Sequence, residues 1–261
     1  MSTPRILVLR TAGTNCDREA VHACELVGAD VDLMHVGNLL DRPALLERYH
    51  LLLLPGGFSY GDDLGGGRIL ANEIRYRLGD AVRAFVADGK LVLGICNGFQ
   101  VLVKAGLLPG GGDGSPTVTL ADNDSARFED RWVHLEVTSD ASIFLDPGDR
   151  LYLPVAHAEG KLVARDDAVL DEIRESGRDV LRYVTDDGGP ASYPDNPNGS
   201  IRGVAGLCDP TGRILGLMPH PESHVYRTQH PFWTRLGEPA AEGDGLRLFR
   251  RAVEVARAEV V

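Results

Sequence analysis

Cysteine is scarce and unpaired in this sequence. Cys16, Cys24, Cys96 and Cys208 are all that 261 residues contain, and none falls in a CxxC pair. That spacing argues against a disulfide framework or a zinc ribbon and points to a reduced, cytoplasmic setting. Long apolar runs are missing too. No stretch approaches roughly 18 consecutive apolar residues, so no transmembrane helix is expected. The opening MSTPRILVLR has no apolar core of the secretory type, and the glycosylation-like triplets at Asn123 and Asn198 then read as chance. Positive charge is in deficit: 27 Lys and Arg stand against 38 Asp and Glu, a formal net charge of −11. A surface of that sign disfavours nucleic acid or an anionic membrane as partner. The glycine-rich GDDLGGGR (61–68) lacks both the lysine of a Walker loop and GxGxxG spacing, so phosphate binding there is a weak reading. Asp62 and Asp63 have no accompanying ligand cluster, and no metal site is expected.

The first half alternates between strand and helix patterns. RILVLR (5–10), DVDLMHV (30–36), HLLLLPGG (50–57) and KLVLGIC (90–96) read as strands. Helical stretches are expected at 17–27, 41–48, 68–88 and 97–105. The third repeats Leu70, Ile74, Leu78, Val82 and Phe85 on one face. Strands apolar on both faces and separated by helices imply a central, mostly parallel sheet covered on each side, an α/β fold. After Leu107 the character changes. LLPGGGDGSP reads as loop, and runs at 117–121, 131–138 and 150–156 resemble added antiparallel strands. RGVAGLC and RILGLMP flank Asp209-Pro210-Thr211-Gly212, a hairpin turn. Residues 223–245 read as irregular and 246–260 as an amphipathic helix. With neither repeats nor a low-complexity linker, 1–261 is expected to form one domain.

Cys96 ends a buried strand inside Gly94-Ile95-Cys96-Asn97-Gly98, the G-x-nucleophile-x-G form of a nucleophile elbow. A sharp strand-to-helix turn projects the side chain from the carboxyl edge of the sheet, where α/β folds place ligands. Small residues on either side let the backbone turn and pack closely. The following helix start favours thiolate, and the N–H of Asn97 is positioned as an oxyanion donor. Cys24 and Cys208 read as small core residues, and Cys16, in the loop after the first strand, leans the same way.

A thiol nucleophile needs a base, and the base an orienting acceptor. Two H-x-E pairs offer both: His157-Ala158-Glu159 and His220-Pro221-Glu222. The second is preferred, because RILGLMP delivers it to the edge that carries Cys96 and two prolines fix its backbone. His22, His35, His50, His134, His224 and His230 read as surface or core residues. Pro55-Gly56-Gly57-Phe58-Ser59 closes the third strand; its glycines either make an ordinary turn or present a second oxyanion donor.

Taken with GTNCDRE (13–19), GGFSYGD (56–62), CNGFQ (96–100), NDSARFEDRWV (123–133), AHAEG (156–160), NPNGS (196–200) and MPHPE (218–222), these residues resemble a class I glutamine amidotransferase. More narrowly they are similar to the glutaminase subunits of phosphoribosylformylglycinamidine synthases, over roughly residues 5–222. The resemblance implies a flavodoxin-like class I glutaminase fold that releases ammonia from glutamine. Cys96 matches the nucleophile, His220 and Glu222 the rest of the triad, Gly57 and Asn97 the oxyanion donors, and Gln100 a position beside the substrate. It implies no cofactor in this subunit. ATP and magnesium belong to a large synthetase partner that makes formylglycinamidine ribonucleotide in purine biosynthesis, commonly with a small accessory subunit. His157 and NPNGS match motifs near the active site or the synthetase interface. Three departures stand out: Asp63-Leu64-Gly65-Gly66-Gly67 where an aromatic and less glycine are expected, Ala158 for a glycine, and Ser223 for a basic residue. Another thiol hydrolase of γ-glutamyl compounds or peptides, and a silent docking subunit, are the alternatives from other classes.

Overall fold

The computed structural model describes residues 3–111, 116–236 and 242–260. Residues 112–115 of the expected loop and 237–241 of the expected irregular segment therefore lie outside it. The chain runs β1 (Arg5–Arg10), α1 (Asp17–Leu26), β2 (Asp30–His35), α2 (Val36–Asp41), β3 (Leu51–Leu54), α3 (Arg68–Glu73), α4 (Gly79–Ala87), β4 (Leu91–Ile95) and α5 (Asn97–Lys104). It continues with β5 (Val118–Asp122), β6 (Glu129–Val137), β7 (Arg150–His157), β8 (Glu159–Ala164), α6 (Asp167–Glu175), β9 (Leu181–Val184), β10 (Val204–Cys208), β11 (Ile214–Leu217) and α7 (Gly245–Val255). Among the described residues no helix is long and apolar enough to cross a membrane.

Nine strands form one sheet in the order β2-β1-β3-β4-β11-β10-β9-β6-β7, and β5 pairs with β8 beside it. The five strands from β2 to β11 are mutually parallel; beyond β11 every pairing is antiparallel. Every residue of β3 and β4 is buried, as strands covered on both faces require. At about 1.5–3 kcal/mol per buried leucine, Leu51–Leu54 alone is a large stabilising block. In β7 buried and half-buried residues alternate, the pattern of a sheet with one wet face.

Two helix expectations are corrected. The element after β2 starts at once, with α2 capped by His35 Nδ1 accepting from Gly37 N at 3.1 Å; the expected helix at 41–48 is instead a 3-10 turn, Pro43–Arg48. The single helix expected at 68–88 is α3, a wide π stretch (Ile74–Leu78) and α4. Four-residue spacing of Leu70, Ile74 and Leu78 drifts by about 40° per step on a 3.6-residue helix. The wider turn corrects that drift and keeps all three buried. Strand β8, helix α6 and strand β9 carry no sequence expectation. A short 3-10 turn, Pro221–Ser223, leads into the 223–245 region, whose described residues contain a second, Arg227–Gln229, and a bridge between Tyr226 and Glu242.

β7 is last in the sheet order, yet its Pro154 carbonyl accepts from His220 N at 2.8 Å and its Ala156 carbonyl accepts from the Cys96 thiol at 3.7 Å. The antiparallel extension therefore curls back over the carboxyl edge of the parallel strands and roofs the site.

Candidate active site

Cys96 sits between β4 and α5 with φ 49° and ψ −105°, a strained conformation for a residue with a β-carbon. Its N–H donates to Leu217 O at 2.8 Å and its carbonyl accepts from Gln100 N at 3.1 Å, so both neighbours hold the strain in place. The flanking glycines serve close approach. Neither Gly94 nor Gly98 has a left-handed φ; a β-carbon at Gly98 would stand 1.9 Å from Leu54 O, and one at Gly94 would stand 2.5 Å from Leu102. Helix α5 thus packs directly on the ends of β3 and β4.

β11 runs parallel to β4 with Leu217 opposite Ile95, so the chain beyond each strand emerges side by side. This adjacency brings His220 to Cys96 across 124 residues of sequence. The imidazole is buried and lies against Gly56, where a β-carbon would be 2.7 Å from its Cε1. Its Nδ1 pairs with Glu222 Oε1 at 2.6 Å, while Nε2 has no protein partner. Burial pushes the imidazole pKa down, but the Glu222 carboxylate and the Cys96 sulfur outweigh it and hold the pKa well above the usual value. Cys16, expected to be structural, approaches the same ring: its Sγ is 3.9 Å from His220 Nδ1. Burial raises its thiol pKa, so the group is kept protonated. Cys24 and Cys208 are fully buried core residues.

The loop after β3 adds Gly57, whose φ of +140° suits glycine and whose β-carbon would lie 2.7 Å from Asn15 N. Gly57 and Thr14 form an isolated antiparallel bridge in which the neighbours Asn15 N→Gly56 O and Phe58 N→Gly13 O make the bonds. In such a pair the N–H of Gly57 points away from Thr14.

The Asn97 side chain ties the two glycine loops together. Its Oδ1 accepts from Ser59 N at 3.1 Å, and its Nδ2 donates to Asp62 Oδ1 at 3.1 Å and to Gln100 Oε1 at 2.8 Å. Gln100 Nε2 in turn donates to the Glu159 carbonyl. Both polar ends of Gln100 are satisfied internally, so in this structure it braces the site. Asp62 also accepts from Gly67 N at 3.0 Å, and Glu159 accepts from Gly66 N at 2.8 Å and Lys104 at 2.5 Å. The glycine-rich loop is therefore pinned. Its extra glycines have a reason: a β-carbon at Gly66 would stand 2.6 Å from Gln100. Asp62, Lys104 and Glu159 were not predicted. Glu159, in its H-x-E pair, and Asp62, which ends GGFSYGD, carried a sequence signal; Lys104 carried none.

The other pair does not form a dyad: His157 Nδ1 contacts Asn123 Oδ1 at 3.1 Å while Glu159 turns to Lys104 and Gly66. The NPNGS segment lies below it. Asn198 is fully buried and donates to Gly160 O at 2.8 Å and Tyr183 Oη at 3.2 Å, and Ser200 N donates to Asn198 Oδ1 at 3.0 Å. Two buried asparagines, Asn123 and Asn198, thus pack the β7–β8 turn that faces Cys96.

Burial and the nearby His220 lower the His157 pKa from the usual 6.5 to about 4. Between those values the unfolded chain binds a proton that the folded state refuses, so acid removes stability through that window. At most about 3 kcal/mol is involved. His220 has the opposite sign: its contribution is complete below 6.5 and is lost as pH rises through its raised value. Urea unfolding of His157→Gln is expected to show a flatter loss of stability from pH 6.5 to 4.5 than the parent. Equal slopes would remove His157 as the cause.

Comparison with known proteins agrees with this geometry. The CobB/CobQ-like glutamine amidotransferase domain matches residues 3–255. A phosphoribosylformylglycinamidine synthase subunit PurQ of Dehalococcoides mccartyi is 47% identical over 259 residues, covering 98% of this chain and 99% of that protein. The same subunit of Methanococcus maripaludis is 38% identical over 265 residues, covering 96% and 97%. A chain of the PurLQS structure from Thermotoga maritima superposes with a TM-score of 0.72 at 34% identity, covering 97% of this chain and 99% of that one. A nucleophile elbow, a buried histidine–glutamate pair at its side and full-length likeness to PurQ subunits lead to one assignment: this chain belongs to the CobB/CobQ-like glutamine amidotransferase domain family, in its PurQ branch of class I glutamine amidotransferases.

Proposed function

We propose that the chain is the glutaminase subunit of a phosphoribosylformylglycinamidine synthase and that Cys96, His220 and Glu222 carry its chemistry. The observation that supports this most is the meeting of Cys96 with a Glu222-paired imidazole whose Nε2 is buried and unpartnered. The Cys96 thiolate attacks the side-chain amide carbon of glutamine, and the N–H groups of Gly57 and Asn97 hold the oxyanion. A raised His220 pKa favours imidazolium, the form that protonates departing ammonia. The resulting thioester is cleaved by water, with neutral His220 taking the proton, and glutamate leaves. These steps need no cofactor in this subunit.

Ammonia then passes to a large ATP- and magnesium-dependent synthetase subunit, with a small accessory subunit in the complex, in the cytoplasm. Phe58, beside Gly57, is 45% exposed and its ring lies 6.4 Å from that of Phe128, itself 50% exposed. An apolar patch beside the oxyanion loop fits a surface covered by that partner.

Glutamine is the test substrate. One ammonia per glutamate is expected, with asparagine inert, and a glutamine-mimicking electrophile is expected to add once, at Cys96. Labelling of another residue, or none with the synthetase present, overturns the reading.

A further inference from the structure

Three groups of different chemistry converge where the proposed mechanism uses only two. Cys16 Sγ, His220 Nδ1 and a Glu222 carboxylate oxygen lie within 4.8 Å of one another, the one such trio of histidine, cysteine and carboxylate among the described residues. The Cys16 sulfur stands 3.9 Å from Nδ1. Glu222 adds an independent sign: its Oε2 is buried without a hydrogen-bond partner, while Oε1 alone serves the imidazole. A buried carboxylate oxygen is rarely left unsatisfied.

We propose that this trio is an inhibitory zinc site that switches the glutaminase off. The donor set is thiolate, imidazole and carboxylate, which suits Zn2+ better than the hard cations. Tetrahedral zinc with bonds of about 2.0–2.3 Å needs ligand atoms about 3.3–3.6 Å apart, so the sulfur, 3.9 Å from Nδ1, closes in by a few tenths of an ångström while the Glu222 carboxylate turns out of its 2.6 Å contact with Nδ1. Charge closes as well, with two anions against one dication in a site that otherwise buries a carboxylate. Cys16 is only partly buried and gives the ion a path in.

The proton balance explains inhibition. Zinc takes the Nδ1 lone pair and displaces the Nδ1 proton of the imidazolium to solvent, Nε2 keeps its own proton, and the Cys16 thiol gives its proton to solvent. The neutral imidazole then presents Nε2–H to Cys96 and cannot accept a proton from it. Cys96 is not a ligand; the fourth position is left to water. The loss of activity rests on the glutaminase reading, whereas zinc binding itself does not.

The two are separated by titrating the full chain with Zn2+ against a chromophoric chelator, and by following electrophile labelling of Cys96 with and without zinc. Wild type is expected to bind one zinc, to release protons on binding, and to label far more slowly when loaded. Cys16→Ser and Cys16→Ala are expected to bind zinc on the order of 100-fold more weakly and to label at the parent rate whether or not zinc is present. Cys96→Ala is expected to keep the zinc. No tight zinc in wild type, undiminished binding in Cys16→Ser, or loss of binding in Cys96→Ala overturns the site. Failure of labelling in zinc-free wild type overturns the glutaminase reading and leaves the zinc titration intact.

Discussion

Cys96→Ala is expected to lower glutamine hydrolysis by on the order of 10⁴-fold or more while leaving the protein folded. The side chain is 5% exposed and small, so alanine fills nearly the same volume, and the strained φ of 49° is carried by either residue. What disappears is the bond-forming atom, and no neighbouring group replaces it. Cys16 sits on the Nδ1 side of the imidazole, whereas the free nitrogen of His220 is Nε2. His220→Ala is expected to cost a similar factor, and the double variant little more than either, because the two act as one unit. Steady-state ammonia release in the presence of the synthetase measures all three. Activity within tenfold of the parent in Cys96→Ala would falsify the assignment of the nucleophile.

The largest structural effect is expected at Gly98. Its φ is not left-handed, so alanine meets no backbone penalty there; the obstacle is a β-carbon 1.9 Å from Leu54 O and 2.9 Å from Leu54 Cβ. Neither atom is the movable end of a side chain. The carboxyl end of β3 and the start of α5 must separate, which opens the core and shifts the Gly56–Gly57 loop together. Gly98→Ala is therefore expected to cost about 3 kcal/mol or more. In a chain of this size that is a fall in Tm of about 6–12 °C. Glutaminase activity is expected to fall with it, because both proposed oxyanion donors flank the disturbed contact. Gly148→Ala is the control. There φ is +85° but nothing lies within 4 Å, so backbone strain of about 1 kcal/mol is all that is expected. If the two variants melt together, close packing at the elbow is not what Gly98 provides.

The parallel half of the fold was legible because its signals are local. Strands of continuous apolar residues cannot be read as anything exposed, and β1, β3 and β4 lie within a few residues of their expected places. The elbow was legible for the same reason: five consecutive residues carry nucleophile, glycines and helix start. The 41–48 and 68–88 helices were misjudged where apolar spacing departs from 3.6, since a list of apolar positions does not say whether the backbone kinks, tightens or widens to meet the core. Strand β9 was missed because four residues of strand barely rise above the pattern of a loop; helix α6, nine residues behind an Asp166 N-cap with Val169, Leu170 and Ile173 buried on one face, did carry a helical signal that the strand-rich surroundings masked.

By itself the sequence determined which residues are proposed to carry the chemistry, since a thiol at a strand end and an H-x-E pair after a second buried strand are fixed by residue type and spacing. Only the tertiary structure decided which groups surround them. The preference for His220 over His157 was already in the sequence; its physical ground is β11 lying next to β4. The roof over the sulfur follows from the curl of β7, and the bracing of the glycine loops by Asp62, Asn97, Gln100, Glu159 and Lys104 follows from packing. Cys16 reaches the imidazole although 204 residues separate them. Contacts at such separations leave no periodicity in a chain, because they are selected by the energy of the closed fold and not by the conformational preference of any one segment.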